Sequence, residues 1–305
     1  MRERTAIVTG CRGFMASHII PRLIDDGYQI LGLDTRIDAP KNTGSYTETL
    51  VDITDYDAIE KVMKTYDFGE FNCFIHLAAI AAPDLAKRDP KKAYDVNVLG
   101  TYNALKCASK APVNRFVLLS SAHVYGISPK FLPTPETAPL QLHDTYTVTK
   151  ILDENLCRLF YENFNLPYVA LRLFNGYGPR QTKDYFFPTM LAKAKTGRIV
   201  LKGAQTTKDF IYIDDVIDAI LAGMKSTYVG EINVGSGVQT TLEHMARAAA
   251  EAFNAEFSLD QDQPPPSYMQ ANIQRIMNVL KWKPKVSLDE GITKTIDWYK
   301  KNEIP

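Results

Sequence analysis

The stretch Thr5–Ile20, TAIVTGCRGFMASHII, decides the fold class of this 305-residue chain. A short apolar run that ends at Gly10 predicts a buried strand, and the amphipathic segment that follows predicts a helix. Between them, Gly10 permits a tight turn, Gly13 lets the backbone approach a pyrophosphate, and Ala16 lets the helix pack closely on the strand. This order of strand, glycine loop and helix is typical of a domain that binds a dinucleotide, with Phe14 and Met15 in the same loop.

The end of the next apolar run, QILGLD, indicates which dinucleotide is bound. It closes with Asp34, twenty-four residues after Gly10. A carboxylate at this position accepts hydrogen bonds from the adenosine ribose hydroxyls of NAD and repels the 2′-phosphate of NADP. Arg36 follows two residues later and would accommodate that phosphate. On balance, the two side chains favour NAD as the cofactor over NADP.

Strand and helix patterns alternate through the first half of the chain. The predicted buried strands are TAIVTG, QILGLD, CFIHLAA and RFVLLSS, and the predicted helices are 15–26, 56–66, 93–110 and 146–163. Such alternation predicts a doubly wound parallel sheet, an α/β fold of the Rossmann type. Pro21 lies inside the first predicted helix, where it should kink the helix or cost up to ~3 kcal/mol unless packing compensates.

The alternation becomes less regular after YVALRLFN, which predicts a second, smaller domain. Strands are expected at DFIYI and EINVGS, and helices at 190–195, 215–224, 242–253 and along SLDEGITKTIDWYKK. We therefore expect a dinucleotide-binding domain that consists of residues 1–173 together with residues 205–236. A partly interleaved substrate-binding cap would take up 174–204 and 237–305.

Composition excludes several classes of protein. The 35 basic and 35 acidic residues balance, so neither nucleic acid nor an anionic membrane surface is expected as a partner. The four cysteines lie far apart and form no metal-ligand motif, as expected of reduced thiols in the cytoplasm rather than of disulfides or a metal site. There is no apolar signal core at the N-terminus and no run of ~18 apolar residues, so a soluble cytoplasmic protein is expected.

Three side chains in the middle of the chain have the chemistry for proton transfer. Tyr146 and Lys150 are four residues apart in DTYTVTKILDENL and share a face if the segment is helical, so that the ammonium can favour the phenolate. Ser121 closes the run RFVLLSS and can hydrogen-bond the same substrate oxygen. A tyrosine base beside a nicotinamide cofactor predicts an oxidoreductase step.

These motifs, together with HLAAI, SSAHVYG and FNGYGPRQ, resemble those of the extended short-chain dehydrogenase/reductases. Within that group the chain is similar to the nucleotide-sugar epimerases and dehydratases, nearly end to end. The resemblance implies a nucleotide-sugar substrate and a homodimer formed through helices 93–110 and 146–163. The residues it implies for the cofactor are Asp52 and Ile53 beside the adenine, Ala78 and Ala79 along the cleft, Asn97 as a support and Lys150 on the nicotinamide ribose. Those it implies for the substrate are Ser121 and Asn175. We also expect His123, Arg180 and Lys208 to contact the substrate, although the resemblance does not imply these three.

The residues after Ser121 bear on which reaction follows the redox step. In the 4,6-dehydratases of this family an Asp-Glu pair performs the elimination, whereas this chain has Ala122 and His123. The resemblance therefore implies a 4-epimerase that acts through a transient 4-ketosugar. The alternatives are a dehydratase in which His123 assists elimination as a proton shuttle, a decarboxylase, a net dehydrogenase or reductase, and a binding module without catalysis.

Two other departures leave the nucleotide base of the substrate open. Lys208 stands where relatives usually place an arginine, and a lysine lacks the two-pronged grip of a guanidinium on a diphosphate. The arginine often found before the C-terminal connector is also missing, since QDQPPPS offers Gln263 instead. Arg180 or Arg275 would have to compensate.

Overall fold

A computed structural model describes residues 4–66 and 71–303, so the predicted domain ends at 1 and 305 lie outside the described residues. The chain divides into two compact units. Unit 1 comprises 1–124, 140–172 and 219–232, and unit 2 comprises 125–139, 173–218 and 233–305.

Unit 1 is built on a seven-stranded sheet. Its strands are β1 (Arg4–Thr9), β2 (Tyr28–Asp34), β3 (Tyr46–Leu50), β4 (Cys73–His76), β5 (Phe116–Ser121), β6 (Tyr168–Leu173) and β11 (Gly230–Val234). They lie in the order β11-β6-β5-β4-β1-β2-β3, and the pairs from β5 to β3 are parallel. The predicted Rossmann-type α/β fold is confirmed.

The strand order reverses direction between β1 and β4. β1 pairs on one side with β2, in the register Val8 to Gly32, and on the other with β4, in the register Val8 to Ile75. At such a switch point the loops after the two strands diverge and leave a crevice, which is where open α/β sheets bind ligands. The glycine loop follows β1, so the fold places it at this crevice.

The helices of unit 1 include the predicted ones and a further short helix, Pro83–Arg88, that the sequence pattern did not indicate. They are α1 (Ala16–Asp25), α2 (Tyr56–Thr65), α3 (Pro83–Arg88), α4 (Pro90–Ala93), α5 (Gly100–Lys110), α6 (Thr145–Phe164) and α8 (Ile213–Lys225), the last of which begins in unit 2. The predicted helix over 93–110 lies within a continuous helical stretch over 90–110, in which Tyr94–Leu99 form a π-helical segment between α4 and α5. Hydrophobic periodicity does not reveal such a widened turn.

Pro21 leaves α1 unbroken. The helix runs from Ala16 to Asp25 and buries Ile19, Ile20 and Leu23. Burial of such side chains stabilises by about 1.5–3 kcal/mol each. Packing therefore compensates for the hydrogen bond that the proline cannot donate.

Unit 2 contains short strand pairs and four complete helices. Its strands are β7 (Asn175–Tyr177), β8 (Arg198–Leu201), β9 (Thr207–Lys208), β10 (Phe210–Tyr212), β12 (Thr240–Thr241) and β13 (Glu256–Leu259), and its helices are α7 (Phe186–Lys195), α9 (Leu242–Ala252), α10 (Gln274–Val279) and α11 (Leu288–Lys301). β7 pairs with β10, β8 with β13, and β9 with β12.

Buried carboxylates hold unit 2 together. Asp209 accepts hydrogen bonds from the backbone N–H groups of Ser236, Gly237 and Ala271 at 2.6–2.9 Å. Asp215 accepts from the backbone N–H groups of Lys285 and Val286 in the same way. Segments that are distant in the sequence therefore converge on two side chains.

The compact units differ from the predicted domains at Leu173 and in segments 125–139, 205–218 and 233–236, all of which belong to unit 2. Thr134 exchanges backbone hydrogen bonds with Gln270 and Asn272, and β9 pairs with β12. Local sequence pattern carries no sign of these distant partners.

None of the helices within 4–66 and 71–303 combines the length and hydropathy that a membrane span needs. All four cysteines are buried and free.

Candidate active site

The glycine loop after β1 has a geometry that only glycine fits. Gly10 has φ +67°, and a Cβ there would lie 2.9 Å from the Cα of Ala78. A Cβ on Gly13 would lie 3.0 Å from the carbonyl oxygen of Gly10. The loops after β1 and β4 therefore approach each other closely, and the residues predicted to cradle a pyrophosphate fit that task.

Thr9 fixes the loop that carries Ala78 and Ala79. Its Oγ1 accepts hydrogen bonds from the backbone N–H groups of Leu77 and Ala78, both at 3.2 Å, and lies 2.9 Å from His76 Nδ1. A buried side chain thus ties the end of β4 to the end of β1.

Phe14 and Met15 lie at the entry to α1. The Phe14 carbonyl accepts a hydrogen bond from Ser17 Oγ at 2.8 Å, and the Met15 carbonyl accepts one from the Ile19 N–H at 3.0 Å. Both residues are partly exposed, as expected of residues that border a ligand.

Asp34 is buried at the end of β2 and organises its surroundings. One oxygen accepts the backbone N–H of Arg12 and the other accepts that of Arg36, both at 3.0 Å. The Arg36 guanidinium lies 3.4 Å from the same carboxylate with its side chain 71% exposed. A carboxylate has about four acceptor positions, so Asp34 retains capacity for ribose hydroxyls.

Asp52 and Ile53 follow β3. Asp52 is exposed and caps the turn by accepting from the N–H and hydroxyl of Thr54. Ile53 is buried against Gly100, where a Cβ would lie 2.5 Å from its Cδ1. Asn103 donates to the carbonyls of Ile53 and Thr54 and fixes this turn on α5.

Asn97 lies in the π-helical segment and is fully buried. Its Oδ1 accepts the N–H of Ile80 at 2.7 Å, while its Nδ2 donates to the Ile80 carbonyl at 3.2 Å and to Thr149 Oγ1 at 2.9 Å. It therefore connects the loop after β4 to α6. This contact pattern indicates a supporting residue.

Ser121 and Tyr146 come together at the start of α6, which Asp144 caps. Burial raises the pKa of Tyr146 to about 12, although a hydrogen bond with Ser121 acts to lower it and the charges of Asp153 and Asp144 raise it further. The imidazole of His123 packs edge-on against the phenol ring, with ring centroids 5.9 Å apart. The expected preference for the phenolate is therefore reversed in this structure.

Lys150 is engaged away from the phenol. Its ammonium donates to the Leu119 carbonyl and to Asp153 Oδ2, both at 3.2 Å, and both side chains of this ion pair are at least 96% buried. Burial raises the pKa of Asp153 to about 6 against the opposing effects of Lys150 and of the Thr101 hydroxyl.

Thr101 of α5 contacts His76, the last residue of β4. Its Oγ1 lies 3.0 Å from His76 Nε2. Burial lowers the pKa of His76 to about 3, and the charge of Lys150 adds to the effect. Two groups of buried polar contacts therefore lie here, the pair of Lys150 and Asp153 and the series from Thr101 through His76 to Thr9.

The predicted substrate residues Asn175, Arg180 and Lys208 all lie in unit 2. The backbone N–H of Asn175 donates to the Asp209 carbonyl at 2.9 Å, and Arg180 has a left-handed φ of +69°. The ammonium of Lys208 lies 3.3 Å from the sulfur of Met269, and burial lowers its pKa. A thioether sulfur is a weak hydrogen-bond acceptor, so the half-buried ammonium of Lys208 is suited to bind an anionic ligand.

Two residues that bear on the missing arginine have structural partners: Gln263, which stands in the connector in its place, and Arg275, which with Arg180 was expected to compensate for it. Gln263 accepts the N–H of Ala204 and donates to the carbonyls of Leu201 and Asp260. Arg275 pairs with buried Glu136, which also accepts the N–H of Asn233.

The structure brings the predicted catalytic and cofactor residues together within unit 1, and it places the remaining substrate residues in unit 2. Four residues near the site were not predicted from the sequence: Thr9, His76, Thr101 and Asp153. Only His76 and Asp153 carried a local signal, since they are ionisable residues in the HLAAI motif and beside Lys150.

Comparison with known proteins identifies relatives along nearly the whole chain. A putative UDP-glucose 4-epimerase of Methanocaldococcus jannaschii is 31% identical, with 97% of this chain and 98% of that protein covered. The dTDP-D-glucose 4,6-dehydratase of Homo sapiens is 28% identical, with 98% and 91% covered. The crystal structure of Thermus thermophilus UDP-glucose 4-epimerase in complex with NAD superimposes with a TM-score of 0.86 at 26% identity, with 97% and 99% covered.

The model of one protein family matches residues 6–235, which include the glycine loop, Asp34, Ser121, Tyr146 and Lys150. The match confirms the resemblance seen in the sequence. The chain belongs to the NAD dependent epimerase/dehydratase family.

Proposed function

We propose that this protein is an NAD-dependent nucleotide-sugar 4-epimerase that acts through a transient 4-ketosugar. The observation that carries the proposal is the arrangement of Ser121 at the end of β5 with Tyr146 and Lys150 one turn apart on α6, within the unit that holds the glycine loop. The family relatives named as 4-epimerases support it. A binding module would have no need of this arrangement.

The residues proposed to hold NAD form one set in unit 1. They are Gly10, Gly13, Phe14 and Met15 at the pyrophosphate, Asp34 at the adenosine ribose, Asp52 and Ile53 at the adenine, Ala78 and Ala79 along the cleft, and Lys150 at the nicotinamide ribose, with Asn97 as a support. Bound NAD supplies a two-electron acceptor that takes a hydride from a carbon atom and can return it.

The proton transfers belong to Tyr146. Its phenolic oxygen removes the proton from the sugar C4 hydroxyl and later returns a proton to the C4 oxygen on the other face of the turned sugar, while Ser121 hydrogen-bonds the same oxygen. Because burial holds the pKa of Tyr146 at about 12, a positive charge must assist this step. Lys150 provides that charge, and Asp153 competes for it.

Lys208 is proposed to bind the substrate diphosphate. Its half-buried ammonium gains a strong charge-assisted acceptor in a phosphate oxygen. Asn175 and Arg180 are proposed as further polar contacts of the nucleotide sugar. A single cation without bidentate geometry is compatible with several nucleotide bases.

A dehydratase is the second candidate, because His123 packs against Tyr146. In that reaction the imidazole would move a second proton while water leaves the 4-ketosugar. The human relative named as a 4,6-dehydratase supports this reading. The two candidates differ in the mass of the product.

The first prediction concerns the reaction. Incubation with UDP-, dTDP-, GDP- and CDP-sugars should yield an epimer of unchanged mass from at least one of them, as measured by mass spectrometry and NMR. Tyr146→Phe should keep NAD bound yet lose turnover by about 10²–10⁴-fold, since it cannot transfer the proton. A product lighter by one water would favour the dehydratase, and a Tyr146→Phe variant with full activity would refute the proton-transfer role.

The second prediction concerns the charge of Asp153. Because this charge raises the pKa of Tyr146 and attracts Lys150, Asp153→Asn should let Tyr146 ionise at lower pH. The measurement is the tyrosinate absorbance at 295 nm against pH, taken as the difference between each protein and its Tyr146→Phe counterpart. Asp144→Asn is the matched control and should lower the pKa less, while keeping the helix cap.

An unchanged or higher Tyr146 pKa in Asp153→Asn would contradict the proposed competition for Lys150. The acidic limb of the activity profile should move in the same direction as the absorbance, because the base must be deprotonated before each turnover.

The third prediction concerns the homodimer, which we propose forms through α5 and α6. Leu99, Tyr102, Leu152 and Leu159 are apolar and 39–47% exposed along these packed helices. Leu152→Glu/Leu159→Glu should convert a two-chain particle into a monomer in analytical ultracentrifugation. Val238→Glu, at an exposed apolar site of unit 2, is the control and should leave the particle intact. A wild-type monomer would refute the proposal.

A further inference from the structure

A second arginine lies beside Asp34. Arg12 stands between Gly10 and Gly13, and its backbone N–H donates to Asp34 Oδ2 at 3.0 Å. Its Cα is therefore close to the carboxylate that we propose as the ribose ligand. An arginine near this point is the side chain that accommodates the 2′-phosphate of NADP. With Arg36, the chain has two such candidates.

Glu48 of β3 engages the guanidinium of Arg12. Arg12 Nη2 donates to Glu48 Oε2, in an ion pair whose carboxylate side chain is 2% exposed, and also to the Ala39 carbonyl at 3.0 Å. The arginine is thus tied to β3 and to the segment that follows Asp34.

Glu48 is itself held rigidly. Its Oε1 accepts the Tyr46 hydroxyl at 2.8 Å, and its Oε2 accepts the Lys41 N–H at 3.0 Å. Burial alone would raise the pKa of Glu48, but these hydrogen bonds and the one from Arg12 lower it below its ordinary value. A charged, fully ordered carboxylate is therefore set against the arginine of the glycine loop.

Arg36 offers a contrasting case. Its guanidinium is 71% exposed and lies 3.4 Å from Asp34, so solvent and salt weaken its pull on a phosphate. Both arginines donate a backbone N–H to Asp34 at 3.0 Å, so they differ in their side chains. Arg12 is the better placed of the two because its side chain is only 32% exposed. Whether the Arg12 guanidinium reaches a phosphate depends on Glu48.

We propose that Glu48 is a specificity-determining residue that favours NAD over NADP by holding the Arg12 guanidinium away from the adenosine 2′ position. The Glu48 carboxylate also offsets the positive charge of Arg12, so the negative charge of Asp34 is left to repel a phosphate. This inference rests on the proposed NAD site and goes beyond it, because Asp34 is then only one of two acidic determinants.

The test is calorimetric titration of NAD⁺ and NADP⁺ into folded protein from which bound nucleotide has been removed. Wild type should bind NAD⁺ more tightly. Glu48→Gln should lower the Kd of NADP⁺ about tenfold, the size of one charge-assisted hydrogen bond, and change that of NAD⁺ by less than about twofold. This increase in NADP⁺ affinity should become smaller as salt is added.

Three further variants make the test specific. Glu251→Gln makes the same charge change on the exposed surface of α9 and should leave both Kd values unchanged. The double variant Arg12→Gln/Glu48→Gln should not bind NADP⁺ more tightly than wild type, since it has no Arg12 guanidinium to contact the phosphate. Tyr46→Phe removes the hydroxyl that orders Glu48 and should shift the preference in the same direction by a smaller factor.

An unchanged ratio of the two Kd values in Glu48→Gln would overturn the proposal, as would a gain that persists in the double variant. If Glu48→Gln does not fold, an unchanged ratio in Tyr46→Phe overturns it. Wild-type protein that binds neither nucleotide would refute the proposed NAD site as well, which distinguishes the two failures.

Discussion

Buried charge on one face of α6 is the constraint around which unit 1 is arranged. The side chains of Lys150 and Asp153, and those of Glu154 and Arg172, form two ion pairs that are almost fully buried. Removing one partner from such a pair leaves an unpaired buried charge and costs about 3–5 kcal/mol. Each charge therefore requires its partners, and β5 contributes the Leu119 carbonyl and the Ser120 hydroxyl.

The same constraint explains why α6 turns its polar side inward. Its buried residues include Tyr146, Lys150, Asp153 and Glu154, whereas Leu152 and Leu159 face solvent. Polar side chains against the sheet provide a site for proton transfer, and the apolar stripe left outside supports the proposed dimer. Burial also raises the pKa of Tyr146, so the resting site holds a neutral phenol and depends on the position of Lys150 to become a base.

The parts of this molecule that sequence predicts are those encoded by neighbouring residues. The glycine loop and Asp34 follow strands whose apolar runs are unmistakable, and Tyr146 and Lys150 are one helical turn apart. The fold class and the composition of the candidate site followed from such local patterns. The π-helical segment did not, because its widened turn serves the distant partners of Asn97.

Contacts between elements that are distant in the sequence could not be predicted from local sequence patterns. Glu48 is an ordinary strand residue until β3 places it against Arg12, thirty-six residues away. Thr101 and His76 likewise acquire significance only when α5 and β4 bring them into contact with each other. These tertiary contacts govern the charge of the site, and we infer that they tune its chemistry and its choice of cofactor.

We infer that hydrogen leaves the sugar C4 as a hydride and returns to the same carbon. This is tested by NMR analysis of the product from a nucleotide sugar that carries deuterium at C4 and is turned over in ordinary water. A hydride that returns to C4 leaves the epimer with its deuterium at that carbon. Loss of the deuterium to solvent would mean that the hydrogen leaves as a proton, and would refute the proposed 4-epimerase mechanism.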